Sequence, residues 1–369
     1  MLQLIKKMSV SLLMTVSILG HAMEAEPQFQ IEKISQLQGI PWGMAQLNAD
    51  TLLVTILDGQ LLKVDMLTGE TVELSGLPKI ARFGQGGLLD VAISPDFKDT
   101  GWVYFTYAHP TTSDEATTAL ARAKLLDNAL VEWTDLVIAD ASSSKGQHFG
   151  SRIAFDGQGH VFFSVGDRGK RANAQDLSNH AGSILRVNMD GTVPADNPYV
   201  RHGQIRPEIW SFGHRNPQGL YFDQKTQRLW SNEHGPRGGD EINLIRVGAN
   251  YGWPIVSYGK EYWAPIQVGE STSKEGVEEP KKVFIPSIAP SSLLIYRGDL
   301  FKEWNGDFLS TALALRHLNN VKLKSGKVYE TRFLEDLKER LRDVIEASDG
   351  SLLISTDSGQ ILQLFPAHY

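Results

Sequence analysis

The stretch that decides the fold is SRIAFDGQGHVFFSVGD, residues 151–167. It reads as a short apolar strand, an Asp-Gly turn, and a second apolar strand that ends at a serine. Five other stretches repeat this plan. They are GMAQLNADTLLVTILDGQLLKVD from Gly43, GLLDVAISPDFKDTGWVYFTY from Gly87 and QGLYFDQKTQRLWSNEHG from Gln218, then SSLLIYRGDLFKEWNGDFLSTA from Ser291 and RDVIEASDGSLLISTDSGQILQLF from Arg342. Six copies at spacings of roughly 45 to 75 residues predict an all-β, six-bladed β-propeller with four antiparallel strands per blade. A strand near Ile31–Leu37 is expected to complete the last blade, which would protect the edge strands by closing the ring. A two-sheet sandwich fits less well, because the repeat persists along the whole chain. Helical periodicity is scarce and is expected only in FLEDLKERL, Phe333–Leu341.

Composition narrows the function classes. The 369 residues, 41% hydrophobic and 21% charged, suit a globular protein with a substantial core. A net charge of −7 without a basic block argues against nucleic acid as a partner, since that affinity rests on cations neutralising phosphates. There is no cysteine, so disulfides and thiol chemistry are excluded. The first residues differ from the rest. Lys6 and Lys7 precede an apolar run from Met8 to Leu19, followed by Gly20-His21-Ala22. This is the pattern of a signal peptide over residues 1–22, cleaved after Ala22, with residues 23–369 as one exported propeller domain. No later apolar run is long enough for a transmembrane helix. No exposed apolar helix or unpaired strand stands out either, which favours a monomer.

Long connections are expected at 111–119, 141–150, 166–181 and 258–286, gathered on one end of the propeller, where binding and chemistry tend to sit. KGQHFGSR holds His148 in such a loop; a lone histidine is more often structural than catalytic. FGHRNPQG holds Arg215 and Asn216 between Gly213 and Pro217, which suggests a polarising pair rather than a solvent contact. FGQGGLLD sets Gln85 among glycines, which either let a ligand approach the backbone or simply form a turn. ERLRDV carries Arg340 and Arg342 two apart, on one side of an extended segment. Two such guanidiniums want an anion between them, unless they pair with surface acids such as Glu335 or Asp336. The SSSK tetrapeptide at Ser142 lies in a loop and is set aside as a nucleophile motif. No HExxH, P-loop or GxGxxG motif is present.

Taken together, GQGGLLD, QHFGSR, SVGDRG, HAGSILRVNMDGT, FGHRNPQGL, EHGPRGGDEIN, GANYGWP and ERLRDV closely resemble the soluble aldose sugar dehydrogenases of the glucose/sorbosone dehydrogenase family, which use pyrroloquinoline quinone (PQQ). The matches run in family order from about Pro41 to the C-terminus. The resemblance implies a six-bladed propeller and oxidation of an aldose at C1 to the lactone, with electrons passed to an external acceptor the sequence does not identify. It implies His148 as general base and Arg215, with Asn216, beside the quinone. Gln85, Tyr262, Arg316, Arg340 and Arg342 match cofactor-contact positions, the paired arginines meeting PQQ carboxylates. Gly235 and Pro236 match positions whose carbonyls bind the calcium beside PQQ, and Glu241 and Tyr251 match a second, structural calcium site. Two rivals are a calcium-dependent propeller lactonase or other hydrolase, and a non-catalytic exported sugar-binding propeller. The first would hold its metal through side-chain carboxylates and asparagines lining the channel. The second would have no need of His148, Arg215 and the paired arginines.

Overall fold

The protein is described here by a computed structural model covering residues 29–367. The signal peptide expected over residues 1–22 lies outside them. The strands form six four-stranded antiparallel sheets. Five blades are continuous in sequence, over residues 41–73, 88–138, 153–212, 217–284 and 290–333. The sixth takes three strands from residues 341–366, and its outermost strand is Phe29–Gln36, paired with Gln360–Pro366. The closure expected from the N-terminal strand is therefore present. Each repeat in the sequence takes in the two innermost strands of one blade, and the first and last repeats take in the third strand as well. Among the described residues, no helix is long and apolar enough to cross a membrane.

The inner strands read as nearly continuous apolar runs because both of their faces are covered. In Thr51–Ile56, Leu52, Val54 and Ile56 pack with Leu353 and Ile361 of the sixth blade. Leu53, on the opposite face, packs with Val91, Val103 and Phe105 of the second. Period-two alternation thus distributes one strand between two neighbours.

The hydroxyl that ends each repeat has a physical role. Thr55 donates to Leu89 O (2.5 Å), Thr106 to Ser151 O (2.6 Å), Ser164 to Pro217 O (3.2 Å), Thr311 to Arg342 O (3.3 Å) and Ser355 to Pro41 O (3.2 Å). In the fourth blade Asn232 Nδ2 makes the corresponding bond to Ser292 O (2.8 Å). Each bond joins a blade to the start of the next, so the ring is stitched once per interface.

At the axis, Arg152 contacts the other five blades. Its guanidinium meets Asp90 (2.9 Å), Asp343 (3.1 Å), Trp42 O (3.3 Å), Ser291 O (2.9 Å) and Gln218 O (3.1 Å). Asp90 is pushed up to about 6 by burial, against the opposing pull of Arg152.

Two sequence expectations fail. The segment Phe333–Leu341 is not an α-helix: only Glu335–Leu337 forms a 3₁₀ turn between two strands. Leu334 and Lys338 flank it at φ 66° and 55°, which a right-handed helix cannot accommodate. The connection expected at 111–119 is also shorter, because Ala116 already starts the strand Ala116–Leu126.

Candidate active site

The stretch NEHGPRGGDEIN folds as a hairpin. Arg228–Glu233 pairs with Asp240–Ile245, and residues 234–239 form the turn. Asp240 shapes that turn by accepting from Gly235 N (2.8 Å), Ser287 Oγ (2.9 Å) and Ala289 N (2.7 Å). A Cβ on Gly235 would lie 2.1 Å from Gly239 O, so the turn admits only glycine there. His234 is not a metal ligand candidate in this arrangement. Its Nε2–H donates to Pro290 O (2.8 Å), and burial, reinforced by Arg215, pushes it down to about 3, so it is neutral.

Glu233 and Glu241 stand directly opposite one another in the ladder, a costly placement for like charges. Both accept from Asn243 Nδ2, at 3.2 and 3.1 Å, while Asn243 Oδ1 is buried without a partner. Burial and the charge of Glu233 push Glu241 up to about 8. A cavity of about 20 Å³ beside them is lined by Glu233, Gly235, Pro236, Glu241, Tyr251 and Arg215, among others. The residues lining it therefore fit a hard cation: facing carboxylates and a turn rich in backbone carbonyls. Among the described residues no group of three or more His, Cys, Asp or Glu could hold a metal, so backbone oxygens would have to complete the shell. Gly235 and Pro236, expected at one calcium, and Glu241 and Tyr251, expected at another, line this single cavity together. The Tyr251 hydroxyl is occupied by Leu244 O (2.6 Å) and Arg246 N (2.9 Å).

His148 sits on the loop between the second and third blades at φ 53°, the left-handed region that costs a non-glycine residue about 1 kcal/mol or more. Three contacts hold it there. Its N–H donates to Gln85 Oε1 (2.8 Å), its Nδ1 meets Asp167 Oδ1 (2.6 Å), and Arg168 fastens the loop from below. Arg168 is buried, stacks 3.5 Å over the Phe149 ring, and donates to the carbonyls of Ala116, Ala141 and Gln147. Asp167 also accepts from Gly169 N (2.7 Å) and Trp253 Nε1 (2.8 Å). Although burial opposes it, the bond from His148 leads in holding Asp167 below the usual carboxylate range, so it is ionised. Burial lowers His148, aided by the charge of Arg215, and Asp167 only partly offsets this. The outcome is a neutral imidazole whose Nδ1 carries the proton, leaving Nε2 as the basic nitrogen.

Arg215 is buried; its N–H donates to Glu233 Oε2 (2.8 Å) and its Nη1 to His234 O (3.3 Å). Asn216 Oδ1 accepts from Gly150 N (3.1 Å) and Gln218 Nε2 (3.2 Å), which leaves its NH₂ group for other partners. A second cavity, of about 340 Å³, is lined by Gln85, Asn216, His234, Arg340 and Arg342, with the rings of Trp42 and Phe149. His234 lines both cavities, so they adjoin. Cationic and aromatic walls in a space of this size fit a flat polycarboxylate such as PQQ.

Three sequence readings change here. Arg340 and Arg342 do share an anion, but it is neither Glu335 nor Asp336: Asp357 accepts from Arg340 Nε (2.7 Å) and Arg342 Nε (2.8 Å). The glycines around Gln85 make close contact with the protein as well as opening the loop, since a Cβ on Gly87 would lie 1.9 Å from Leu57 O. Tyr262 and Arg316 line neither cavity: Tyr262 is 65% exposed and Arg316 donates to Lys338 O (3.2 Å). Sequence reasoning missed Asp167, Glu233 and Asp357. Asp167 and Glu233 carried a signal, within SVGDRG and EHGPRGGDEIN, and Asp357 carried none. A larger cavity of about 540 Å³ lies on the other side of Arg152 and contains none of the expected site residues.

Comparison with known proteins agrees with this architecture. The family model for Glucose / Sorbosone dehydrogenase matches residues 38–363. Aldose sugar dehydrogenase YliI of Escherichia coli (strain K12) is 35% identical over 358 residues, covering 94% of this chain and 96% of that protein. The crystal structure of the soluble aldose sugar dehydrogenase from Escherichia coli in the apo-form matches with a TM-score of 0.89 at 34% identity, covering 92% of this chain and 100% of that one. The PQQ-bound form of aldose sugar dehydrogenase from Streptomyces coelicolor matches with a TM-score of 0.72 at 26% identity, over 92% of this chain and 99% of that one.

Proposed function

Because the chain belongs to the glucose/sorbosone dehydrogenase family, we propose that it oxidises aldose sugars at C1 to the lactone, using PQQ and calcium and passing electrons to an external acceptor. The observation that carries this reading is the His148–Asp167 pair (2.6 Å) set between Gln85 and the charge of Arg215, next to a cavity lined by Arg340 and Arg342. Gln85, Asn216, Arg340 and Arg342 would hold PQQ. Gly235, Pro236, Glu241 and Tyr251, expected at two separate ions, line one cavity of about 20 Å³ and would together hold a single calcium beside it. When bound, PQQ supplies an ortho-quinone able to take up hydride, and calcium polarises its receiving carbonyl.

The chain's own residues do the rest. His148 Nε2 takes the proton of the sugar's C1 hydroxyl, which frees C1 to release hydride. Asp167 then stabilises the imidazolium through Nδ1. Arg215 is a buried, fixed positive charge next to His148 and would stabilise negative charge developing on a bound cofactor. Asp167, Trp253 and Arg168 keep the base from rotating. The same reading has the chain exported to the periplasm after cleavage near Ala22, acting there as a monomer.

His148→Asn tests the assignment. The variant is expected to bind PQQ nearly as tightly as the wild type while losing turnover by about 10²-fold or more, the contribution typical of a positioned base. Near-normal sugar oxidation by the variant would sink it.

A further inference from the structure

The wall of the 340 Å³ cavity carries three guanidiniums, Arg82, Arg340 and Arg342, against one carboxylate, Asp357. Arg340 and Arg342 belong to the sixth blade and share Asp357. Arg82 comes from the connection between the first and second blades, so it reaches the cavity from another side. Its placement is fixed: Nε donates to Asp58 Oδ1 (2.5 Å), and Nη1 to Gly84 O (2.8 Å) and Gly86 O (3.2 Å). None of these bonds uses Nη2. Its side chain is 41% exposed, so the guanidinium is reachable.

We propose that Arg82 is a third anion-pairing residue of this cavity, so that the polycarboxylate bound there is gripped from two sides rather than one. The inference rests on the reading of the cavity as a PQQ site and deepens it. A ligand with carboxylates at one end only would satisfy Arg340 and Arg342, which already share a protein anion. Counting Asp58, which pairs with Arg82, three guanidiniums meet two carboxylates and leave one net positive charge. Arg82, whose Nη2 none of the bonds above uses, offers a further donor to a carboxylate at the ligand's other end. Because Arg82 also holds the carbonyls on either side of Gln85, its removal could act on the loop alone. The experiment must therefore separate charge from scaffold.

Apo-protein in calcium buffer is titrated with PQQ, and separately with its uncharged trimethyl ester, and followed by quenching of tryptophan fluorescence; Trp42 lines the cavity. For Arg82→Met, PQQ affinity is expected to fall about 2- to 5-fold, the scale of a partly exposed charge pair, with ester affinity unchanged. Arg82→Lys is expected to recover part of the loss. Equal PQQ affinity in wild type and Arg82→Met would overturn the proposal, and so would an equal loss for PQQ and ester, which marks a loop clamp. Wild-type protein that binds neither compound would overturn the PQQ reading itself, a result distinct from either of these.

Discussion

Replacing Asp167 by asparagine exchanges one oxygen for an NH₂ group and removes a negative charge from a position only 1% exposed. The three hydrogen bonds it accepts decide how the amide sits. Oδ1 serves both His148 Nδ1 and Gly169 N, whereas Oδ2 serves Trp253 Nε1 alone. The less costly orientation keeps the amide oxygen on the His148 side and sets the NH₂ against the indole. The imidazole tautomer then survives, and the main loss is the charge that stabilises the imidazolium. A hydrogen bond to a charged group contributes about 1.5–3 kcal/mol, which corresponds to roughly 10- to 150-fold in kcat. The pH dependence has a definite sign. His148 is held low by burial, and Asp167 works against that shift, so removing its charge lowers His148 further. The acid limb of the kcat profile, where the base is lost to protonation, should therefore move to lower pH as the plateau falls. The assay is PQQ-loaded enzyme with saturating aldose and an artificial dye, run across the acid and neutral range, alongside a PQQ titration. A wild-type plateau, or an acid limb that moves to higher pH, would refute the reasoning.

Other consequences concern stability and the ion. Arg152→Met leaves Asp90 and Asp343 facing each other without their shared cation at the axis, and is expected to cost about 3–5 kcal/mol in denaturant unfolding; an unchanged midpoint would contradict the role of Arg152 as the hub of the blades. Thr106→Val keeps the shape but removes the bond to Ser151 O, and is expected to cost about 1–3 kcal/mol, while a polar substitution at Leu67, 91% exposed, changes stability little. Removing calcium with a chelator is expected to lower the melting temperature of the wild type, and by much less that of Glu241→Gln, because that substitution removes one of the two facing carboxylates the ion would bind and leaves less bound calcium to lose. Equal shifts in both proteins would place the ion elsewhere.

The fold was legible because the two inner strands of each blade are buried on both faces and must be apolar, so their hairpins repeat visibly. The outer strands carry less signal: Thr71–Glu73 is exposed at all three residues, and nothing in its composition marks it as a strand. Candidate site residues were readable where one side chain or one turn marks the position, as at His148, Arg215 or Gly235-Pro236. It was hidden where function depends on a partner brought in by tertiary structure. Asp167 meets His148 across 19 residues and Trp253 across 86, and Asp357 meets Arg340 across 17. Glu233 read as the end of an apolar strand, yet it faces Glu241 and fixes the backbone of Arg215. The run FLEDLKERL misled because its charges alternate with leucines at helical spacing, while the strands on either side allow it only one turn.

The most direct test is the reaction itself. The purified chain is mixed with PQQ and calcium, supplied with glucose or another aldose and an artificial dye, and its products are identified. Dye reduction that requires both PQQ and calcium, with lactone formed in proportion, is the expected result. Absence of dye reduction together with hydrolysis of an added lactone would contradict it and assign the cavity to a hydrolase.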